Sequence, residues 1–255
     1  MPAIEVGGHR LEFEWVGPPR ARGSPAVFLH EGLGCAAMWR GFAEELAAKT
    51  GRPALLYSRW GHGGSERLDG QRTPRFMHEE ALRTLPELLE RLRVCSPVLV
   101  GHSDGASIAL IYAASGLGPV EALVLEAPHV LVEQVTVDSI ARVRSEFERT
   151  DLKERLARHH GDNTETMFYG WCDVWLSPEF RDWNIEECLP RIGCPVLAVQ
   201  GEQDEYGTVG QIARIAAGAA GRVETLFLAA CGHQPHRDRH DDVLDAMARF
   251  LETRA

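Results

Sequence analysis

The chain has 255 residues, of which 44% are hydrophobic and 25% are charged, and its formal net charge at pH 7 is -10. This composition is that of an ordinary globular protein with a substantial core, and it excludes the disordered and fibrous classes. The acidic balance argues against a nucleic-acid partner, because phosphate binding needs a clustered positive surface.

Residues 1–16 contain three glutamates and no apolar run of signal-peptide length. No segment approaches the roughly 18 uninterrupted apolar residues of a membrane span, so we expect a cytoplasmic protein without membrane contact. The six cysteines form no CxxC pair and show no metal-like spacing, which predicts reduced thiols and no metal site. The basic residues of 236–239 are interrupted by an aspartate, and we predict that they lie in a solvated loop.

Short apolar runs alternate with amphipathic stretches along most of the chain. This alternation is typical of βαβ units around a parallel sheet with helices on both faces. A hairpin over residues 4–16 is predicted to turn at Gly7 and Gly8. Buried strands are predicted after it at residues 26–29, 54–57, 98–100, 122–125, 196–199 and 223–228. Apolar positions at helical spacing predict helices over residues 38–46, 77–92 and 243–251.

The alternation is interrupted once, between the fourth and fifth of these six strands. Residues 130–191 contain helical patches at 140–149 and 152–159 and no convincing strand. We therefore predict a core of residues 1–129 and 192–255 with a helical cap of residues 130–191. Aromatic residues of the cap are expected either to form its own small core or to line a pocket. They are Phe168, Tyr169, Trp171, Trp175, Phe180 and Trp183.

A pentapeptide with glycine at both ends follows the strand at 98–100 and precedes a helix-forming run. Its sequence is Gly101-His102-Ser103-Asp104-Gly105. A serine on a sharp turn between strand and helix needs glycines two residues before and after, because a β-carbon there would clash with the neighbouring elements. The following helix points its N-terminal N–H groups at the same spot, where they would stabilise an anion. Ser103 is therefore the predicted nucleophile.

A serine hydroxyl needs a base within hydrogen-bond reach, usually a histidine that a carboxylate orients. His233 follows the last predicted strand and precedes the last helix, which puts it at the same sheet edge as Ser103. We prefer it to His236, because the base has to reach the nucleophile.

The predicted acid is Asp204, which follows the strand at 196–199 at the edge where ligands gather in open α/β sheets. The rival carboxylates are Glu202, Glu205 and Glu126. If Glu126 has no such role, we expect it to be a strand-end residue that faces solvent. Along the chain the serine comes first, then the acid and then the histidine, which is the order expected when the nucleophile lies on a strand-to-helix turn of this kind.

The loop after the strand at 26–29 reads His30-Glu31-Gly32-Leu33-Gly34. Backbone N–H groups in such a loop can meet a developing oxyanion together with the N–H of Asp104. Gly32 is the predicted second donor, and Leu33 is the alternative. The loop could instead be only a glycine-rich connection between the strand and the next helix, without a role in catalysis. The glycine-dense segment 57–65 lacks the Lys-Ser/Thr ending of a phosphate-binding loop, so we interpret it as a structural loop.

With these motifs in place, the sequence resembles the α/β-hydrolase superfamily, in its capped branch of esterases, lactonases and carbon-carbon hydrolases. The resemblance covers nearly the whole chain. It implies an α/β-hydrolase fold, with a mostly parallel eight-stranded sheet, helices on both faces and a helical cap between strands six and seven. It also implies that the elbow serine is Ser103, the acid is Asp204, the histidine is His233 and the oxyanion loop is residues 30–34.

The function that this resemblance implies is cleavage of a small carboxylic ester, lactone or thioester through an acyl-enzyme on Ser103, without a cofactor. One alternative uses the same triad to cleave a carbon-carbon bond in a dicarbonyl-type substrate. Another is a binding or receptor protein that does not catalyse. A small-molecule substrate is the expected partner, and the oligomeric state is open, with a homodimer as one option. Substrate contacts are expected from His30, Glu31, His129, Trp171 and Trp175.

The sequence departs from the family pattern at two acidic positions. Glu31 stands where the family commonly has glycine, and Asp104 directly follows the nucleophile. Negative charge there would oppose an oxyanion, unless the side chains point away or pair with a cation such as Arg59.

Overall fold

Eight strands form one sheet in the computed structural model, which describes residues 1–17 and 23–252. The strands are β1 (Ala3–Val6), β2 (His9–Val16), β3 (Ala26–Leu29), β4 (Ala54–Tyr57), β5 (Val98–His102), β6 (Ala122–Glu126), β7 (Val196–Gly201) and β8 (Val223–Leu228). Their order across the sheet is β1-β2-β4-β3-β5-β6-β7-β8. β1 and β2 form the predicted hairpin, β2 is antiparallel to β4, and the pairings from β4 across to β8 are parallel. The predicted mostly parallel sheet is confirmed.

Helices cover both faces of this sheet. They are α1 (Phe42–Thr50), α2 (Phe76–Glu79), α3 (Leu85–Arg91), α4 (Asp104–Ser115), α5 (Gln134–Arg149), α6 (Leu152–His160), α7 (Thr164–Leu176), α8 (Gly210–Gly218), α9 (Pro235–Asp238) and α10 (His240–Glu252). Alternate residues of a strand enter different cores, because successive side chains point to opposite faces. In β5, Leu99 packs with residues of α3, α4 and α8, whereas Val98 and Val100 pack with residues of α1 and α10.

The last strand lies at the edge of the sheet. Its predicted bounds are confirmed, but its predicted burial is wrong. Thr225 and Phe227 are exposed, and only Leu228 is fully buried. Thr225 and Phe227 share one face of this edge strand, whereas Leu226 and Leu228 point to the opposite face and pack with the core that contains residues of α1 and α10. The strands nearer the middle of the sheet, β3 to β7, are buried along their whole length.

A π-helical turn interrupts the helix predicted over residues 77–92. The turn spans Glu80–Thr84 and separates α2 from α3. Pro86 stands in the first turn of α3, and proline has no N–H to donate to the carbonyl four residues earlier. A wider turn before the proline accommodates this missing bond. The apolar face is still continuous, because Met77, Ala81, Leu85 and Leu88 are all buried.

Residues 130–191 connect β6 to β7 through α5, α6 and α7, followed by short 3-10 turns. Within these residues, all of which the structure describes, the only β-type pairing is a single bridge between Leu131 and Asn184. Aromatic side chains join the helices to one another. Phe147 of α5 stacks on Phe168 of α7, with ring centroids 3.8 Å apart. The inserted helices thus have a small core of their own.

The six cysteine thiols are free. Among the residues that the structure describes, none of the helices has both the length and the apolar surface needed to cross a membrane.

Candidate active site

Ser103 lies in the sharp turn between β5 and α4, at a positive φ of 54°. Its backbone N–H donates to the carbonyl of Glu126 (2.9 Å), which anchors the turn to the end of β6. A β-carbon at Gly105 would overlap the carbonyl oxygen of Leu29, and one at Gly101 would lie 2.5 Å from the carbonyl oxygen of Gly105. Both positions therefore need glycine, for the reason that the sequence suggested.

The loop after β8 brings His233 to this serine. Nε2 of His233 lies 3.0 Å from Oγ of Ser103, and Nδ1 lies 2.8 Å and 3.0 Å from the two carboxylate oxygens of Asp204. A neutral imidazole with its proton on Nδ1 donates to the carboxylate and leaves Nε2 free to accept from the hydroxyl. The three residues predicted from separate parts of the chain therefore meet in one line of hydrogen bonds.

Asp204 is fixed by further donors after β7. Its Oδ1 accepts from the backbone N–H of Tyr206 (2.8 Å) and of Gly207 (3.2 Å), and Oδ2 accepts from Nε2 of Gln200 (2.5 Å). Burial alone would raise the pKa of Asp204, but His233 and the backbone N–H of Tyr206 hold it below its ordinary value. Asp204 is therefore ionised at neutral pH.

Glu126 and His236 form a second carboxylate–histidine pair, and two predictions about them are wrong. Oε2 of Glu126 accepts from Nδ1 of His236 (2.8 Å) and from its backbone N–H (3.1 Å). Glu126 is fully buried rather than solvent-facing, because α9 covers the end of β6. His236 is also buried, with its ring centroid 4.5 Å from that of Trp39, so the predicted solvated loop at 236–239 is a short helix with a buried face.

The loop after β3 turns at Glu31, whose carbonyl accepts from the N–H of Gly34 (3.1 Å) and from Nη2 of Arg59 (2.8 Å). Among the described residues, the backbone N–H groups of Gly32 and Leu33 have no acceptor in the chain. The N–H of Asp104 opens α4 and therefore has no helical acceptor. These are the groups that the sequence proposed as oxyanion donors, and they are free to donate to a ligand.

The two acidic side chains beside these donors both have compensating partners. Asp104 is buried, with Oδ1 accepting from Nε1 of Trp175 (3.2 Å) and Oδ2 4.0 Å from Nη1 of Arg59. Burial raises the pKa of Asp104, and Arg59 opposes that effect. Burial would also raise the pKa of Glu31, but His102 outweighs it and holds that pKa well below the ordinary value. Arg59 is thus the cation that the sequence suggested for Asp104.

A cavity of about 400 Å³ opens over Ser103 between the core and the inserted helices. Of the predicted substrate contacts, Glu31, His129, Trp171 and Trp175 line it. His30 does not line it, because its side chain is fully buried and Nε2 accepts from the backbone N–H of Arg59 (3.0 Å). Apolar walls come from Met38, Ile140, Val143, Leu152 and Leu156.

The lining of the cavity also includes polar and charged side chains. His129 is buried, and burial, followed by the nearby His233, lowers its pKa to about 3, so its ring is neutral. Arg155, Arg237 and Glu146 lie on the lining as well. Within residues 1–17 and 23–252, no three His, Cys, Asp or Glu side chains are arranged to hold a metal ion.

Two residues that shape the site were not singled out in the sequence. Gln200 orients Asp204, and His102 contacts the loop of His233 through Nε2, 2.6 Å from its backbone carbonyl. The alternation of side chains between the two faces of a strand could have pointed to both residues. His102 shares a face of β5 with Val98 and Val100, and a polar side chain in such a buried row needs a partner.

Replacing Gly32 by alanine is expected to lower kcat/KM about tenfold to a hundredfold without unfolding the protein. A β-carbon there would overlap Nε1 of Trp171, so the loop or the indole has to shift. A shift of about 1 Å at a reacting centre costs rates of this order. Steady-state kinetics with a melting curve measure both effects. Gly193→Ala is the control, because a β-carbon at that exposed glycine meets nothing within 4 Å. Equal activity of the two variants would contradict this account.

The model of a family described as the alpha/beta hydrolase family matches residues 26–246 of this chain. The chain is 26% identical over 268 residues to the sn-1-specific diacylglycerol lipase ABHD11 of Xenopus laevis. This alignment covers 91% of this chain and 80% of that protein. A 102-residue alignment with the ABHD11 lipase of Danio rerio reaches 32% identity and covers 40% of this chain and 31% of that lipase.

Among solved structures, the enol-lactonase from Burkholderia xenovorans LB400 is similar, with a TM-score of 0.76. The superposition covers 98% of this chain and 100% of the lactonase, at 20% sequence identity. Similarity at that level of identity shows a shared fold.

Proposed function

The chain belongs to the alpha/beta hydrolase family, and we propose that it is a serine hydrolase of a small carboxylic ester, lactone or thioester. One observation carries the proposal. Asp204, His233 and Ser103 form an unbroken line of hydrogen bonds that ends at a hydroxyl in a cavity. A hydroxyl is a poor nucleophile at neutral pH, and an oriented base is what activates it.

Acylation begins when Oγ of Ser103 attacks the carbonyl carbon and Nε2 of His233 takes the hydroxyl proton. Asp204 stabilises the imidazolium that forms and keeps its orientation. The negative charge moves to the carbonyl oxygen, where the N–H groups of Asp104 and Gly32 donate to it. When the tetrahedral intermediate collapses, His233 gives its proton to the departing alcohol or thiol, and the acyl group stays on Ser103.

Deacylation repeats these steps with water. His233 takes a proton from a water molecule that attacks the acyl carbon, and the same donors stabilise the second oxyanion. Collapse returns the proton to Oγ of Ser103 and releases a carboxylic acid. No redox change occurs, and one water is consumed for each ester bond that is cleaved.

The cavity supports a substrate of modest size. About 400 Å³ lies at the lower end of the range for small-molecule sites. Ile140, Leu152 and Leu156 of the inserted helices present apolar surface, which suits an acyl chain. In this proposal residues 130–191 act as a cap that shapes the substrate site. The similarity to a protein described as an sn-1-specific diacylglycerol lipase supports a carboxylic ester as the first class to test.

The experiment is a panel of short-chain esters, lactones, thioesters and 1,3-dicarbonyl compounds, each assayed with the wild-type protein and with Ser103→Ala as the blank. We expect turnover of at least one of the first three classes, by the wild-type protein only. Turnover of dicarbonyl compounds alone would overturn the proposal in favour of carbon-carbon hydrolysis. A folded protein that turns over none of the panel would instead favour a binding function.

A further inference from the structure

A buried histidine joins the two loops on which the proposed reaction depends. His102 ends β5 directly before the nucleophile, and its side chain is fully buried. Nε2 lies 2.6 Å from the backbone carbonyl of His233, and Nδ1 lies 3.5 Å from Oε2 of Glu31. The loop of the general base and the loop of the oxyanion donors therefore both contact one imidazole ring.

The partners of His102 define its protonation. A backbone carbonyl only accepts hydrogen bonds, so Nε2 has to carry a proton. The carboxylate of Glu31 also only accepts, and Nδ1 has no closer partner among the described residues. A ring with a bare Nδ1 would direct its lone pair at a carboxylate, which is repulsive. This geometry favours a ring with protons on both nitrogens, which is a buried imidazolium.

The charged groups around His102 also favour a positive charge on its ring. Burial would lower the pKa of His102, but the carboxylates of Glu31 and Glu126 outweigh that effect and raise it above the ordinary value. Glu126 lies opposite His102 on the neighbouring strand β6. The other ionisable groups that face His102 are His129, His233 and His236. A β-carbon at Gly34 would overlap the carboxylate of Glu31, so that glycine makes room for the ion pair.

We infer that His102 is a positioning residue whose cationic ring cancels the charge of Glu31 beside the oxyanion and holds the loop of His233 in place. The inference rests on the proposed serine hydrolase function. An unpaired carboxylate at Glu31 would raise the energy of a neighbouring oxyanion, because like charges in a poorly solvated site repel strongly. The pair lets an acidic residue occupy this loop without opposing catalysis.

The test is a double-variant cycle of His102→Gln and Glu31→Gln. Glutamine at 102 keeps an N–H donor but loses the charge, so it leaves the carboxylate of Glu31 unpaired. We expect kcat to fall about a hundredfold with little change in KM, because the effect falls on the oxyanion. Glu31→Gln removes the offending charge and should cost less than about tenfold. In the double variant we expect kcat to recover about tenfold relative to His102→Gln alone.

A purely structural role for His102 predicts a different pattern. The double variant would then be no more active than His102→Gln, and that result overturns the inference. His78→Gln is the matched control, because His78 is a partly buried histidine on α2 that does not line the cavity. Its kcat should equal that of the wild-type protein, and melting curves verify that each variant is folded.

The pH profile gives a second readout. As pH rises through the raised pKa of His102, the ring loses its charge and Glu31 loses its partner. The wild-type kcat should therefore decline on the alkaline side, and this decline should be absent in Glu31→Gln. The pair from Glu126 and His236 is intact in both proteins, so it cannot cause a difference between them. An identical alkaline limb in the two proteins would overturn the inference.

Nitrogen NMR of the histidine rings provides a measurement that needs no substrate. We expect both ring nitrogens of His102 to stay protonated to a higher pH in the wild-type protein than in Glu31→Gln, because Glu31 raises the pKa of the ring. A His102 that titrates identically in the two proteins would refute the ion pair. If Ser103→Ala retained full turnover, the proposed function would fail while the NMR result for His102 would still stand, so the two failures are distinguishable.

Discussion

Replacing Ser103 by alanine is expected to lower kcat about 10⁵-fold or more on any substrate that the protein turns over. The Oγ atom is the group that Nε2 of His233 contacts at 3.0 Å, and its loss removes the site of the acyl-enzyme. Ser107, one turn further along α4, cannot take over, because its hydroxyl donates to the backbone carbonyl of His129 (2.7 Å). Steady-state kinetics with purified protein measure the loss.

The matched control for this variant is Ser115→Ala at the other end of the same helix. The hydroxyl of Ser115 contacts the carbonyl of Tyr112 (2.7 Å) and is remote from the cavity. This control should keep the wild-type kcat. A Ser103→Ala protein within tenfold of the wild-type kcat would show that another group is the nucleophile.

Replacing Asp204 by asparagine is expected to lower kcat about 10⁴-fold while the fold is preserved. The asparagine oxygen can keep the two backbone donors of Asp204, those of Tyr206 and Gly207. Its amide group then faces Nδ1 of His233 and donates to it, which forces the imidazole proton onto Nε2. A protonated Nε2 cannot accept the proton of Ser103.

The neighbouring Gln200 is a further reason to expect a large loss of activity in Asp204→Asn. Its Nε2 donates to Asp204 and to the backbone carbonyl of Gly207 (3.2 Å), and its Oε1 is buried without a partner. Rotation of the side-chain amide would break the bond to Gly207, but it would bring Oε1 to the asparagine amide and stabilise the wrong imidazole tautomer. Glu202→Gln is the control, because Glu202 is the exposed neighbouring rival, and it should keep the wild-type kcat. If Glu202→Gln lost activity and Asp204→Asn did not, the acid would be misassigned.

Much of the fold could be predicted because the local patterns are strong. The strands β3, β4 and β8 begin and end where the sequence placed them, and β5, β6 and β7 are longer by one or two residues. Each extension adds polar or small residues that lack the apolar signal, such as His102 and Glu126. Those residues are buried only because neighbouring loops and α9 cover the strand ends, and this covering is a tertiary effect.

The line of hydrogen bonds from Asp204 to Ser103 could be anticipated for a topological reason. Parallel strands end at one edge of the sheet, so residues in the loops that follow β5, β7 and β8 are brought together there. The partners of Glu31 and Asp104 could not be anticipated in the same way. Arg59 follows β4 and His102 ends β5, and contacts between the ends of different strands depend on side-chain directions that a single sequence does not specify.

The second pair, Glu126 and His236, shows why burial is hard to predict for polar residues. Each was expected to face solvent, and charged side chains are indeed seldom buried unless they are paired. Here each residue satisfies the other, and Trp39 and Phe42 pack against the imidazole, with ring centroids 4.5 Å and 5.6 Å away. A pairing between positions so far apart in the chain leaves no local signal.

Intact-mass and peptide mass spectrometry after reaction with a fluorophosphonate probe can show whether Ser103 is an activated nucleophile. Such a probe reacts with a serine that an adjacent base has activated, and it needs no knowledge of the natural substrate. We predict one probe per chain, attached to Ser103, and no adduct on folded Ser103→Ala. An unlabelled wild-type protein, or a label on any other residue, would contradict the assignment of Ser103 as an activated nucleophile.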